Sequence, residues 1–431
     1  MAEAVLQMKK HPSFLDNASV SALSEELGES ETLRAKRQDA LRTLLETPLP
    51  DRVRHLWRYT DAKKLIPRRS SSSASLKGLQ NEPPVPHGGA LILISPQGRP
   101  QVALSDEAEE AGLRVLPLAE ARDAEGLVGS VVPPTLGLFE AMSAAGWSSG
   151  VFVGVPKNVD LPGPVHIVLS AQAGAFLPRV LFRCGELSRA TIVEEHVGTG
   201  DLVQVISVTE VIVDEGAQAQ HVLLQRLNDG STGHFTTRGR LAQNANLATI
   251  LASFGGTEIK MDLGAILAGP GARSEIVGFV LGEGRQRMDH HTVHDHRAPH
   301  TSSNIDFKVV LTDRARSAYT GLIRIEEKMA GSEAFQENRN LLLSETARAD
   351  TIPELEILTD DVQCSHGATV SPMDPEQVFY LESRGLPWRE AERLIVRGFL
   401  EETISRVPDG LREPFEEIVQ ERIKHFLHGR E

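Results

Sequence analysis

Short runs of β-branched and aliphatic residues recur along the middle of this chain at an almost constant interval. That recurrence limits the folds open to it more than any other feature. Between about residues 150 and 361 such runs (150–155, 165–169, 191–196, 202–213 and 308–311 among them) are separated by Gly, Pro, Asn and Asp. Runs of that composition bounded by turn formers, with little helical periodicity, are strands. An alanine opens or precedes the alternating run at Ala190, Ala217, Ala245 and Ala272, at intervals of 27, 28 and 27 residues. A fixed interval means one coil stacked on the next, each coil holding a few short strands. A solenoid fits this better than a sandwich, whose strands need not recur at a set spacing. Comparable runs begin at Ala315 and Ala347, where the interval loosens. The expected fold is mainly β, a solenoid flanked by helical regions.

Three regions follow: a mixed, partly helical one at 1–146, the β-core at 147–371 and a helical one at 372–431. Ser30 opens a helix with Leu33, Leu41, Leu44 and Leu45 on one face, stopped by Pro48 and Pro50. A second helical stretch holds Val53, Leu56 and Trp57. Arg68 and Arg69, followed by the serines of 70–73, form an exposed linker. From 90 to 146 short pieces alternate without a clear theme. Near the other end, Asp374 caps a helix, Pro375 takes its first position, Gln377 reaches back as in a capping box, and Gly385 ends it. Pro387 opens the next, with Ala391, Leu394, Ile395 and Phe399 on one face. Pro414 opens a third, with Phe415, Ile418, Val419, Ile423, Phe426 and Leu427 at helical spacing. The simplest cover for these stripes is the β-core itself; the alternative is a second protein.

Charge and cysteine content narrow the function. A net charge of −14 argues against a nucleic-acid partner, which would require clustered Lys and Arg. Cys184 and Cys364 are the only cysteines, so neither a disulfide framework nor a four-cysteine metal site fits within one chain. Residues 1–12 carry no apolar signal region and no apolar run reaches the ~20 residues that span a bilayer, so a cytoplasmic protein without a membrane partner is expected. Phosphate loops, nucleophile elbows and paired zinc histidines are absent. The richest polar cluster is DHHTVHDH at 289–296. On a strand His290, His294 and His296 share one face and His291 takes the other. We read these histidines as a polar, partly exposed ladder on the solenoid rather than a metal site. A strand likewise puts Cys364 and His366 on one face. Thiolate and imidazole are both iron or zinc ligands, but two ligands leave a tetrahedral site half built, so a second chain would have to complete it.

Several longer segments resemble one family, the SufB/SufD proteins of iron–sulfur cluster assembly. They are WRYTD (57–61), GVFVGVPKNVDLPGPVHIV (150–168), DHHTVHDH (289–296), YTGLIRIEEKM (319–329), QENRNLLLS (336–344) and LEILTDDVQCSHGATVSPMDPEQVFYLESR (355–384), which runs on through RGLPWREAERLIVRGFLEE. The resemblance covers most of the chain and weakens between about 66 and 146. It implies a right-handed parallel β-helix between an N-terminal and a C-terminal helical region. It also implies a non-catalytic scaffold that pairs with SufB through the β-helix and holds the SufC ATPase on its C-terminal helical domain. A transient iron–sulfur cluster would be built at the SufB–SufD interface, with a flavin on the complex left open.

SufB-type chains carry Glu where this chain has Gly367, and a sulfur-handling Cys near Ala347, so the resemblance is to the SufD type. His366 then matches the SufD histidine of the assembly interface, a ligand shared with SufB, and Cys364 is its second contributor. Phe379, Leu394, Val396, Phe399 and Leu400 mark the expected SufC-binding region. Two alternatives stay open. One is a SufB-like homodimeric scaffold. The other is a carbohydrate-active enzyme on a β-helix, against which the consecutive pairs Glu326-Glu327 and Asp360-Asp361 count, because strand neighbours point to opposite faces.

Overall fold

The computed structural model describes residues 15–67 and 83–428, apart from 97, 172 and 199–201. The serine linker lies outside the described residues. The chain is mainly β, a parallel solenoid of about eight turns with helical regions before and after it.

Each turn gives one strand to each of two sheets. From Val165–Ala171 the first sheet continues through Arg189–Gly198, Gln218–Arg226, Asn246–Phe254, Arg273–Gly282, Ser302–Leu311 and Ser332–Leu342 to Val362–Pro372. From Ser149–Val155 the second continues through Pro178–Cys184, Val203–Val213, Thr232–Leu241, Glu258–Leu267, Arg287–His296 and Arg316–Ile325 to Arg348–Ile357. Successive strands of a sheet are parallel and in register, so like positions stack at roughly 4.8 Å per turn. The alanine period follows this stacking for three of its members. Ala217, Ala245 and Ala272 form one column at the start of first-sheet strands, whereas Ala190 pairs with Ala219, two residues along, and Ser188 takes its place in the column. All four alanines are buried in the core between the sheets. The looser continuation has a simple cause. Ala315 and Ala347 precede second-sheet strands, whereas the first-sheet column passes from Ala272 to Thr301.

Parallel strands covered on both faces are apolar on both. The outer face of the first sheet (Val222, Leu224, Ile250, Phe254, Phe279, Leu281 and Val310) packs against Trp388–Ile404 and Asp409–His428. The N-terminal helices Asn17–Glu26 and Glu31–Glu46, together with the almost wholly buried Leu138–Gly146, cover the outer face of the second sheet around Leu177 and Ile206. Ser30 caps the second of these helices by accepting from the Leu33 amide. Leu33, Leu41 and Leu44 face the core, but Leu45 is exposed, one helical step off the stripe.

Other helical expectations need correction. Val53 to Trp57 is a single 3-10 turn, His55–Trp57, with Val53 exposed. Asp374 caps Pro375–Ser383 by accepting from the Glu376 amide, so its bond falls one residue short of the capping-box position. The last helix begins at Asp409, with Pro414 inside it, because the turn at Pro408 already starts the helix. In Trp388–Ile404 the buried face is Ala391, Val396, Leu400 and Ile404 rather than a stripe through Leu394.

The two ends of the solenoid differ. At the first end Gln101–Leu104 pairs antiparallel with Ala90–Ile94, which continues the first sheet, and Arg114–Pro117 pairs antiparallel with Ser149–Val155. Short antiparallel strands thus cap both sheets. At the other end Val362–Pro372 and Arg348–Ile357 each have one neighbour only. Their outer backbone edges are unpaired among the described residues.

Candidate functional site: the open final turn

This open end holds the Cys-x-His pair. Successive strand residues alternate, so His366 and Cys364 both belong to the inward column set. His366 stacks on Gln336 and Ile305, and Cys364 on Ala334 and Ser303. With no further turn above it, His366 is exposed. Cys364 is half-buried and packs near Ile323, Ile325, Met329, Leu355 and Val362. Burial pushes its thiol up, only partly offset by a hydrogen bond with the Ala334 backbone. Such a thiol is a weak nucleophile until a cation or metal draws its proton. Cys184 is less available still: fully buried beside Ser188, it is pushed up to about 11, first by burial. Among the described residues no three or more His, Cys, Asp or Glu are grouped to hold a metal.

The interior just beneath the open end is polar, a feature sequence reading missed. Gln336, Asn338 and Asn340 occupy the inward positions of Ser332–Leu342. Asn338 donates to the Phe307 carbonyl at 2.9 Å, and Asn340 to the Thr369 carbonyl at 2.9 Å and to Asn338 Oδ1 at 2.7 Å. Gln336 donates to the Gly321 carbonyl at 3.3 Å. Gln336 Oε1 and Asn340 Oδ1 are buried without a donor among the described residues. The signal was there in QENRN, where amides alternate with charges at strand spacing. The final turn therefore presents an imidazole, a half-buried thiol and open strand edges at its surface, with two amide oxygens, unpartnered among the described residues, buried directly beneath.

The histidines of 289–296 are elsewhere, and here the expected exposed ladder is wrong. His290, His294 and His296 point into the solenoid and are fully buried. His294 Nε2 meets Ser274 Oγ at 3.0 Å; His296 meets Thr301 Oγ1 at 2.7 Å and Ser303 Oγ at 2.8 Å. His290 packs on Phe307, and both its ring nitrogens lack partners among the described residues. Burial holds His290 and His294 down at about 3 and His296 at about 4. They are neutral core residues. His291 faces outward, as alternation requires, with Nδ1 2.6 Å from Asp262.

The five C-terminal residues divide. Val396 and Leu400 are buried against the first sheet and Phe399 packs at the margin of that contact. Phe379 and Leu394 are exposed, and so are the nearby Tyr380 and Trp388. Leu394 also lines a groove of about 300 Å³ between the last two long helices, with Leu386, Arg397 and Ile423.

Comparison with known proteins follows this geometry closely. The family model described as "SUF system FeS cluster assembly, SufBD core domain" matches residues 167–399, from early in the solenoid through its open end into the C-terminal helices. The iron–sulfur cluster assembly protein SufD of Bacillus subtilis is 28% identical over 434 residues, covering 95% of this chain and 98% of that one. SufB of the same organism is 31% identical over 285 residues, covering 64% of this chain and 61% of that one. A SufBD family protein of Mycobacterium tuberculosis is 29% identical over 277 residues, 62% of this chain and 69% of its own.

Proposed function

The chain belongs to the SufBD family of iron–sulfur cluster assembly proteins, and from that premise we propose that it is the SufD-type scaffold of a SUF complex. The single observation that carries the reading is the uncapped final turn presenting His366. Similarity to a SufD over nearly the whole of both chains, against 61% of a SufB, supports the SufD side. Gly367 and Ala347, standing where SufB-type chains carry Glu and a sulfur-handling Cys, support it too.

In this reading the scaffold is non-catalytic. A SufB chain extends both sheets by pairing with Val362–Pro372 and Arg348–Ile357, the β-augmentation that open edges favour. His366, with Cys364 behind it, then faces SufB's own ligands, and the nascent cluster is held between the chains as cargo. Splitting the site across an interface lets subunit motion open it and release the product. That motion comes from the SufC ATPase, docked on exposed C-terminal residues such as Phe379 and Leu394. Val396, Leu400 and Phe399 support that surface from beneath. Among the described residues no helix is long and apolar enough to cross a membrane.

Affinity purification of the tagged chain from its host tests the assembly: an ATPase and a second SufBD chain are expected to co-purify. Recovery of this chain alone would sink the heteromeric reading. His366→Ala should leave that complex intact while cluster formation on it falls by about 10-fold or more, at least the loss that follows removal of a group that only supports a metal ligand. Normal cluster yield would remove His366 from the site. Val370→Lys places an inward-facing charge on the exposed edge strand. It should weaken SufB pairing by at least about 10-fold, or ~1.4 kcal/mol, with the thermal midpoint of the free chain unchanged; undiminished pairing would place the interface elsewhere.

A further inference from the structure

The column of second-sheet residues Glu258, Arg287, Arg316 and Arg348 is in register across four consecutive turns, each residue the first of its strand and facing outward. Three guanidinium groups thus stand on adjacent strands, about 4.8 Å apart at the backbone. Like charges directly opposite on neighbouring strands repel. The one carboxylate of the column does not relieve them, because Glu258 is held by Lys64 at 2.8 Å.

Opposite the column, the N-terminal segment brings Arg52 and Arg58 to the same cleft, together with Tyr59 and Thr60. The cleft has a volume of about 220 Å³. Its two carboxylates are already engaged: Asp289 by Thr60 at 2.5 Å and Lys260 at 3.1 Å, and Asp350 by Arg348 in two bonds of 3.1–3.2 Å. Among the described residues none of Arg52, Arg58, Arg287 or Arg316 has a carboxylate within ion-pair distance, in a chain whose net charge is −14.

We propose that this cleft is a binding site for a small multiply charged oxyanion of the phosphate class, of pyrophosphate size. Planar guanidinium forks pair bidentately with such oxygens. Arginines arriving from two sides of a concave pocket fit a compact anion better than the broad face of an acidic protein. The site lies on the outer face of the second sheet, whereas His366 is on the first. Arg348 and Asp350 belong to the edge strand proposed to pair with SufB, but anion binding needs only the free chain and not that pairing.

Calorimetric titration of the full chain with inorganic pyrophosphate at low ionic strength tests it. The intact protein should bind one equivalent, with affinity falling as salt rises. Arg287→Gln/Arg316→Gln should weaken binding by about 10-fold or more per guanidinium removed, with the thermal midpoint of the free protein unchanged. Arg240→Gln/Arg273→Gln, which removes two exposed arginines outside the cleft, should not weaken it. A parallel titration with ADP separates sources: equal affinity points to a free inorganic anion, and tighter binding of ADP to a nucleotide. Absence of saturable binding of either, or equal loss in both double variants, would overturn the proposal. So would capture of a polyglutamate peptide by a protein that ignores pyrophosphate, which would make the cleft a contact for an acidic protein.

Discussion

Glu210→Ala is expected to destabilise the folded chain by about 3–5 kcal/mol, the range for removing one partner of a buried ion pair. Glu210 lies on the outer face of Val203–Val213, with its side chain fully buried. Its Oε1 accepts from the Val131 and Val132 amides at 2.9 and 3.0 Å, and its Oε2 from the Gly129 amide at 2.8 Å and Arg179 Nη2 at 2.7 Å. One carboxylate thus ties the 129–132 loop to the solenoid and neutralises an arginine with no exposed surface. Alanine would leave a buried guanidinium and three amides unsatisfied together. Urea unfolding followed by far-UV circular dichroism should show the midpoint falling with little change in slope. Glu210→Gln, which keeps the shape and some of the bonds, should cost less. A loss below about 1 kcal/mol for alanine would mean that water or a shift of the loop replaces the carboxylate.

Acidification should do comparable damage through the solenoid interior. His290 and His294 are held at about 3 and His296 at about 4, in each case first by burial. For His290 the charge of Lys260 adds to this, and for His294 those of His296 and Arg238; Asp295 partly opposes it at His296. These folded values lie below the ordinary histidine value of about 6.5. The unfolded chain therefore takes up protons that the folded one refuses. The stabilising effect is complete above pH 6.5 and is lost as pH falls toward 3–4, at up to about 1.4 kcal/mol per histidine per pH unit. By pH 5 the three together should cost about 4–6 kcal/mol. Glu194 joins only below the ordinary carboxyl range. Burial pushes it up, but hydrogen bonds and charge from His196 and His221 outweigh that and leave it depressed, so its contribution too is lost as pH falls. Urea midpoints from pH 7.5 to 5 test the claim. The double variant His290→Leu/His294→Leu should show a clearly smaller pH slope than the parent, what remains coming from His296 and from His234, which burial also holds below the ordinary value; an unchanged slope would locate the protons elsewhere.

Sequence by itself determined the solenoid, because strand alternation and a repeat near 27 residues leave few other ways to bury so many short aliphatic runs. Local chemistry fixed several helix ends, such as Ser30, Asp374 and Gly385, since a cap needs only its own neighbours. Alternation also placed Cys364 with His366, and His291 opposite His290. The tertiary structure alone decided which face was inside. Both faces of these parallel sheets are covered, so a polar residue on either can be buried, and His290, His294 and His296 went inward where exposure was expected. It decided that Val396 and Leu400 lie under the C-terminal helix while Phe379 and Leu394 stay exposed, because an amphipathic stripe does not name its partner. It capped one end of the solenoid with strands from the region that carried no theme and left the end holding His366 open. It also aligned Arg287, Arg316 and Arg348, whose separations of 29 and 32 residues conceal a single column. Turns of unequal length absorb the difference, and only hydrogen-bonded register restores it.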